Sequence, residues 1–290
     1  MKLLKNFYFL TVLILLSCSD KVSMQEFDSA EIIKTIVLPK KINETSGLEF
    51  YAKNFITHND SGDGPSLYIF NENGDLIKTM DLNKDSSFEI ENNDWEDIAG
   101  DDKYLFVADT GNNFGNRDNL NIIRVSKDDN YSVDGIIDVF YADQETFFPR
   151  PKHKYDAEAL IVLNEQLVLF SKDRENLNTD LYLVDKFEKK PQKLTSEFAF
   201  NVNSLITGGD YNNDLNLLAL VSYNSKGGQY LILFERFDLK NPEENTFKKY
   251  TIPLERAQIE SIKIIDKNTF WVTSEDEGIG NPYMYKLKVN

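Results

Sequence analysis

Cysteine is almost absent: Cys18 is the only one in 290 residues. That excludes disulfides, a thiolate metal site and a catalytic thiol from the folded part of the chain. Two histidines, His58 and His153, leave little with which to build a zinc centre. Basic residues are also scarce, 32 Lys and Arg against 48 Asp and Glu, for a net charge of −16. Nucleic-acid binders present basic patches, so nucleic acid is excluded as a partner. The acid excess suits solubility and a bound cation. There is no long helical periodicity. There is no G-x-S-x-G elbow, P-loop or HExxH, and Ser171-Lys172-Asp173-Arg174 has arginine where S-x-x-K needs lysine.

What is present is a repeat. A small or acidic residue stands two places before an aliphatic at Ser46, Glu96, Glu158 and Glu260, and the matching Gly208 two before Asp210, with gaps of 50, 62, 50 and 52. A small residue closes an apolar run at Thr57, Ala108, Ser171, Ser222 and Thr273, with gaps of 51, 63, 51 and 51. Two separate anchors thus share one register, including the same long gap. Each copy continues with a third strand-like run, at Leu67–Phe70, Ile122–Val125, Leu181–Val184, Leu231–Phe234 and Met284–Leu287. Fourth runs follow at Leu76–Leu82, Ile136–Tyr141, Leu194–Phe200 and Tyr250–Leu254, and the fifth copy ends without one. The missing strand lies at the other end, in Glu31–Pro39, whose KTIVLP is similar to the YTIPL closing copy four.

Four-stranded units of about fifty residues, repeated radially, predict an all-β fold, a β-propeller. Five blades are expected, closed by the N-terminal strand joining the last blade. Six is the alternative, and it would need a copy hidden in the 62-residue gap. A closed ring leaves no open edge, so a monomer is expected. The propeller is assigned to residues 31–290, a polar tether to 19–30 and a targeting segment to 1–18. Lys2 and Lys5 precede the apolar run Phe7–Leu16, which is too short to span a bilayer. The run ends in Leu15-Leu16-Ser17-Cys18, which resembles the lipobox of bacterial lipoproteins. That resemblance implies cleavage before Cys18, lipidation of its thiol and a membrane tether. Ser19 follows rather than aspartate, so the outer membrane is favoured, facing periplasm or exterior.

Strands one and two of a blade are antiparallel, so the start of the first and the end of the second meet at one mouth of the channel. First-strand starts contribute Glu44, Asp94, Glu96, Asp97, Asp156, Glu158, Asp210 and Glu260. Second-strand ends contribute His58, Asn59, Asp60, Asp109, Asn112, Lys172, Asp173, Tyr223, Asn224, Glu275 and Asp276. Oxygen donors from several loops suit Ca²⁺. The metal-ligand candidates are Glu96, Glu158, Glu260, Glu44, Asp156, Asp109 and Asp173. Buried carboxylates need compensation, by a cation or by Arg and Lys of neighbouring loops. The excess of the long gap opens on the same mouth and carries Arg150, Lys152, His153 and Lys154 beside Pro149 and Pro151. With His58, Asn59, Asn112, Lys172 and Asn224 they are the candidates for holding an anionic ligand. Neutralising nearby acids is the equal alternative for that basic loop.

The segments SGLEF at Ser46, WEDIA at Trp95, DAEAL at Asp156 and ITGGDYNNDLNLLAL at Ile206 carry a resemblance. Spanning most of Glu44–Asn224, they resemble secreted phytase-like and SdiA-regulated propellers and, more distantly, calcium-dependent lactonase and phosphotriesterase propellers. Those families mostly show six blades. The resemblance implies a propeller, a Ca²⁺ near the channel mouth, and ester or phosphoester hydrolysis. Two functions follow as expectations. One is a lipid-anchored binding or interaction module of the cell envelope, with a small anionic ligand or an envelope protein as partner. The other is a Ca²⁺-dependent hydrolase.

Overall fold

A computed structural model describes residues 28–84, 86–254, 257–276 and 280–290. The leader and Cys18 lie outside the described residues. Five separate sheets form, each with its first strand innermost and later strands stepping outward. Consecutive innermost strands pack on each other in a ring, the fifth against the first. The chain is a five-bladed β-propeller.

Blade 1 comprises Thr45–Tyr51, Asn54–Asn59, Ser66–Phe70 and Leu76–Asp81. Blade 2 comprises Asp97–Gly100, Tyr104–Asp109, Asn121–Ser126 and Ser132–Tyr141. Blade 3 comprises Ala157–Leu163, Gln166–Ser171, Thr179–Asp185 and Phe198–Phe200. Blade 4 comprises Leu205–Asn212, Leu217–Tyr223, Gln229–Glu235 and Lys248–Ile252. Blade 5 comprises Ile259–Asp266, Thr269–Ser274 and Tyr283–Lys288, completed by Glu31–Val37 antiparallel to the last of these. Closure through the N-terminal strand is therefore as expected from the sequence.

Alternation along each strand sends apolar side chains to both faces of a blade, so each blade packs on two neighbours. The core is accordingly five clusters, one per blade interface. Ile36, Leu48, Phe55, Trp271 and Met284, for example, join blades 5 and 1. Hydroxyls near the axis add backbone links between blades. Ser46 donates to the Glu96 carbonyl, Thr110 to the Ala157 carbonyl and Thr207 to the Ile259 carbonyl. Small residues let the inner strands converge. A Cβ on Gly208 would sit 2.7 Å from the Glu260 carbonyl oxygen, so blade 4 meets blade 5 there through glycine.

Two boundaries differ from expectation. Leu194–Phe200 is not one strand. Gln192–Leu194 crosses to blade 2 and pairs parallel with Val139–Tyr141, while Phe198–Phe200 stays on blade 3. The polar Thr195-Ser196-Glu197 breaks the run between them. Asp28–Ser29, expected in the tether, pairs parallel with Tyr250–Thr251 on blade 4, and Ala30 is buried behind it.

Candidate functional site: the acidic channel mouth

A β-bulge interrupts the innermost strand at the anchor position in blades 1, 3, 4 and 5. Bulges re-aim side chains. Glu158 and Glu260 sit at two of these bulges, beside the start of the barrel. Blade 2 brings Asp94 and Glu96 from its entry segment, and blade 1 brings Asp60 from the end of its second strand. Oxygens of Asp60, Asp94 and Glu96 lie within 4.8 Å of one another, as do those of Glu96, Asp156 and Glu158. Glu96 belongs to both groups and bridges them. Gly111 makes room: a Cβ there would collide with Glu96 Oε1 and stand 2.5 Å from Asp94 Cγ.

Some of this charge is compensated by the chain. Lys172 Nζ donates to Glu158 Oε2, and both side chains are buried. Arg174 lies 2.9 Å from Asp156 Oδ2 and 3.3 Å from Glu158 Oε1. Burial opposes the charge on Lys172, but Glu158 and Glu260 hold its ammonium above its ordinary value. This pair stays ionised, because the ammonium sits directly on the carboxylate. Glu96 is different. It is 4 % exposed, and among the described residues no cation or hydrogen-bond donor meets its carboxylate. Burial, then Glu158 and Asp60, push its carboxyl well above the usual range. Burial and the neighbouring Asp94 push Asp60 up to about 9. An Asp60 oxygen lies within 4.8 Å of an Asp94 oxygen, and Asp60 Oδ1 is buried with no hydrogen-bond partner among the described residues. Burial is also the chief cause at Glu260 and Glu275, each pushed up to about 8. Burial, then Asp63, raises Glu44, further out on the rim.

The other expected site residues are brought near the mouth but are committed to the fold. Asp109 accepts from Arg117 at 2.8 Å, the Asp94 N–H at 3.0 Å and Asn93 at 2.8 Å. Asp173 caps its own turn through the N–H groups of Glu175 and Asn176. Asn59 bonds Asp63 and the Lys41 carbonyl. Asn112 accepts from the N–H groups of Asn116 and Arg117 and donates to the Tyr155 carbonyl. Asn224 closes its turn by accepting from Lys226 and Gly228. His58 is fully buried with its ring edge-on to Trp95 at 5.5 Å, and burial lowers it to about 4, so it stays neutral.

The basic loop turns to its own surroundings. Lys154 pairs with Asp143 at 2.7 Å, Arg150 lies over the Tyr155 ring, and Lys152 is exposed. His153 is buried. Its Nδ1 accepts from the Tyr155 N–H at 3.1 Å, so Nε2–H faces the Asn113 carbonyl at 3.2 Å. Charge neutralisation, the alternative reading of this loop, is what these contacts favour. The cations at the acidic cluster are Lys172 and Arg174 instead. Arg174 stands in the turn just past Gln166–Ser171, beyond the reach of the strand period, so no spacing marks it in the sequence.

Asp97 and Asp210 do not belong to the mouth. Asp97 is buried and accepts from Leu160 N–H at 2.9 Å and Gly209 N–H at 3.1 Å, on blades 3 and 4. Its carboxylate thus bridges the axis. Asp210 lies beyond it, bonded to Lys263 at 2.9 Å and to the Ile264 N–H at 2.8 Å.

No protein-family model matches the chain, and no curated protein matches it. Solved structures do. An exo-beta-1,3-galactanase from Clostridium thermocellum is similar at 13% identity and a TM-score of 0.56, over 88% of this chain and 63% of that one. The chain therefore spans less than two thirds of the galactanase. A Mitotic Checkpoint Complex structure matches 98% of this chain and 99% of its own at 9% identity and a TM-score of 0.47. The galactanase likeness supports the propeller fold.

Proposed function

We propose that the protein is a lipid-anchored binding module of the cell envelope whose acidic mouth takes a divalent cation, Ca²⁺ by donor chemistry. The observation that carries this reading is Glu96: a buried carboxylate without a counter-charge among the described residues, grouped with Asp60 and Asp94 and also with Asp156 and Glu158. The donors are oxygens only, from three blades, which suits a hard ion with tolerant geometry. Glu260 and Glu275 stand at the same mouth and hold protons that a bound cation would displace.

Calorimetry of residues 19–290 with Ca²⁺ and with Mg²⁺ tests it. Ca²⁺ is expected to bind more tightly than Mg²⁺, and Glu96→Gln to weaken Ca²⁺ by at least about tenfold, since each 1.4 kcal/mol is tenfold. Glu158→Gln is expected to weaken it less, because Lys172 already claims that carboxylate. Absence of heat at millimolar Ca²⁺ removes the metal reading. The second reading, a Ca²⁺-dependent hydrolase of a small anionic or ester substrate, is favoured by one feature. Burial pushes the Asp60 carboxyl up to about 9, so an Asp60 left outside the metal's ligand set would carry a proton at neutral pH, as a general acid requires. Turnover of ester, lactone or phosphoester substrates that needs Ca²⁺ and is lost in Asp60→Asn would decide for it.

The anchor reading rests on the leader sequence. Cys18 and Asp28 are ten residues apart, a reach of roughly 35 Å when extended. Cys18→Ser is expected to shift the protein from the membrane to the soluble fraction and to abolish incorporation of labelled palmitate. A variant that keeps its label would rule out Cys18 as the attachment point.

A further inference from the structure

We propose that the opposite mouth of the channel binds a small organic acid with an aromatic or cyclic body, its acid group seated on the ammonium of Lys127. The innermost strands of all five blades end around a pocket of about 690 Å³. That volume falls in the range of small-molecule sites, roughly 300–1,000 Å³. Asp97 bridges the axis between this pocket and the acidic cluster, so the two mouths are separate sites.

Four lysines and four carboxylates line the pocket, a balanced set in a chain of net charge −16. The lysines are not equivalent. Lys263 lies between Glu49 at 2.8 Å and Asp210 at 2.9 Å. Lys186 pairs with Asp101 at 3.0 Å and donates to the Asn164 carbonyl at 3.1 Å. Lys127 donates to the Asp101 carbonyl at 2.6 Å and makes no ion pair among the described residues. An ammonium has three donors, so two remain for a ligand. Burial lowers its ordinary value; Glu49, Asp101 and Asp102 pull the other way, and Lys263 adds to the lowering. Lys263, with two carboxylates on it, is raised despite its burial. An anion at Lys127 supplies the direct ion pair that this ammonium lacks among the described residues.

The rim defines the rest of the ligand. Phe50 and Phe187 are 39 % and 48 % exposed, and both line the pocket. Tyr104 meets Phe187 edge-on at 5.6 Å, and the Arg124 guanidinium lies 4.9 Å over the Phe187 ring. Exposed aromatic rings beside the available ammonium of Lys127, with the exposed Lys103 also on the lining, suit a flat or apolar body carrying an acid group. The pocket's carboxylates disfavour polyanions.

The probe is phenyl phosphate, titrated calorimetrically into residues 19–290 with EDTA at low salt, beside benzoate, inorganic phosphate and phenol. Phenyl phosphate and benzoate are expected to bind, and phosphate and phenol at least tenfold more weakly. Lys127→Met is expected to weaken phenyl phosphate at least tenfold and Phe187→Ala several-fold. Lys226→Ala, on the exposed 224–228 turn, is expected to leave binding unchanged. Equal affinity in Lys127→Met and the unaltered protein, or no binding at millimolar phenyl phosphate, overturns the proposal. If Lys127→Met fails to fold, acetic anhydride labelling of the unaltered protein at pH 8 replaces it. Phenyl phosphate is expected to slow acetylation of Lys127 at least threefold while Lys226 reacts as before. Equal labelling with and without the probe overturns the proposal.

Discussion

A chain starting at residue 39 is expected to fail to form a stable ring, whereas one starting at residue 19 folds. Glu31–Val37 is the outer strand of blade 5 and pairs with Tyr283–Lys288 along its whole length. Ile36 and Leu38 are buried in the cluster joining blades 5 and 1. Losing a buried aliphatic side chain costs about 2–5 kcal/mol. Each net backbone hydrogen bond adds about 1 kcal/mol. Two such side chains and one face of a strand ladder together match the total stability of a typical domain, about 5–15 kcal/mol. The deletion also bares an edge beside Trp271 and Met284, which invites aggregation. Circular dichroism melts and size-exclusion profiles of 39–290 against 19–290 measure this. A monomeric 39–290 melting within a few degrees of 19–290 would show that ring closure contributes little.

Metal-free protein is expected to lose stability as pH rises from 5 to 9, and Ca²⁺ to restore it most at the alkaline end. Asp60 is pushed up to about 9, and Glu260 and Glu275 to about 8. Unfolded carboxyls titrate near 4. Between about pH 4 and 9 the folded state therefore holds more protons than the unfolded one. Stability falls wherever the native state binds the greater number. Their contribution is complete below pH 4 and disappears as pH climbs through the folded values. A cation replaces those protons, so Ca²⁺ uptake releases them. With one proton released per ion, affinity tightens tenfold per pH unit. At a hundred times Kd, bound ligand adds about 2.7 kcal/mol. For a domain of this size that is roughly 5–10 °C of Tm. Glu96→Gln gives a two-sided signature: a higher Tm without metal, and a smaller rise on adding Ca²⁺. A flat metal-free Tm between pH 5 and 9 would show that the mouth carries no excess protons.

The ring was legible because two unrelated anchors repeat with one spacing, and blade geometry follows from that spacing. The gathering of Glu96, Glu158 and Glu260 at one mouth followed from strand direction alone. What escaped was side-chain aim. Asp210 stands two residues past its anchor Gly208, further along the strand from the acidic mouth, where Lys263 and the Ile264 N–H hold it. Asp97, one residue after Glu96, faces the axis and bonds blades 3 and 4. For the loop around Arg150 and Lys154 the sequence left ligand binding and charge neutralisation level, and the pairing of Lys154 with Asp143 and the stacking of Arg150 on Tyr155 favour the second. The second mouth was signalled only by Lys127 and Lys186, each two residues past the third run of its blade, while Lys263 comes from an innermost strand.

The short pairing of Asp28–Ser29 with Tyr250–Thr251 is parallel. Every fourth strand of a blade runs toward the acidic end, so these residues do too. The polypeptide therefore enters the wheel from the lysine side. An acylated Cys18 upstream would hold that side nearer the bilayer and turn the carboxylates outward, where ions from the surrounding fluid reach them first.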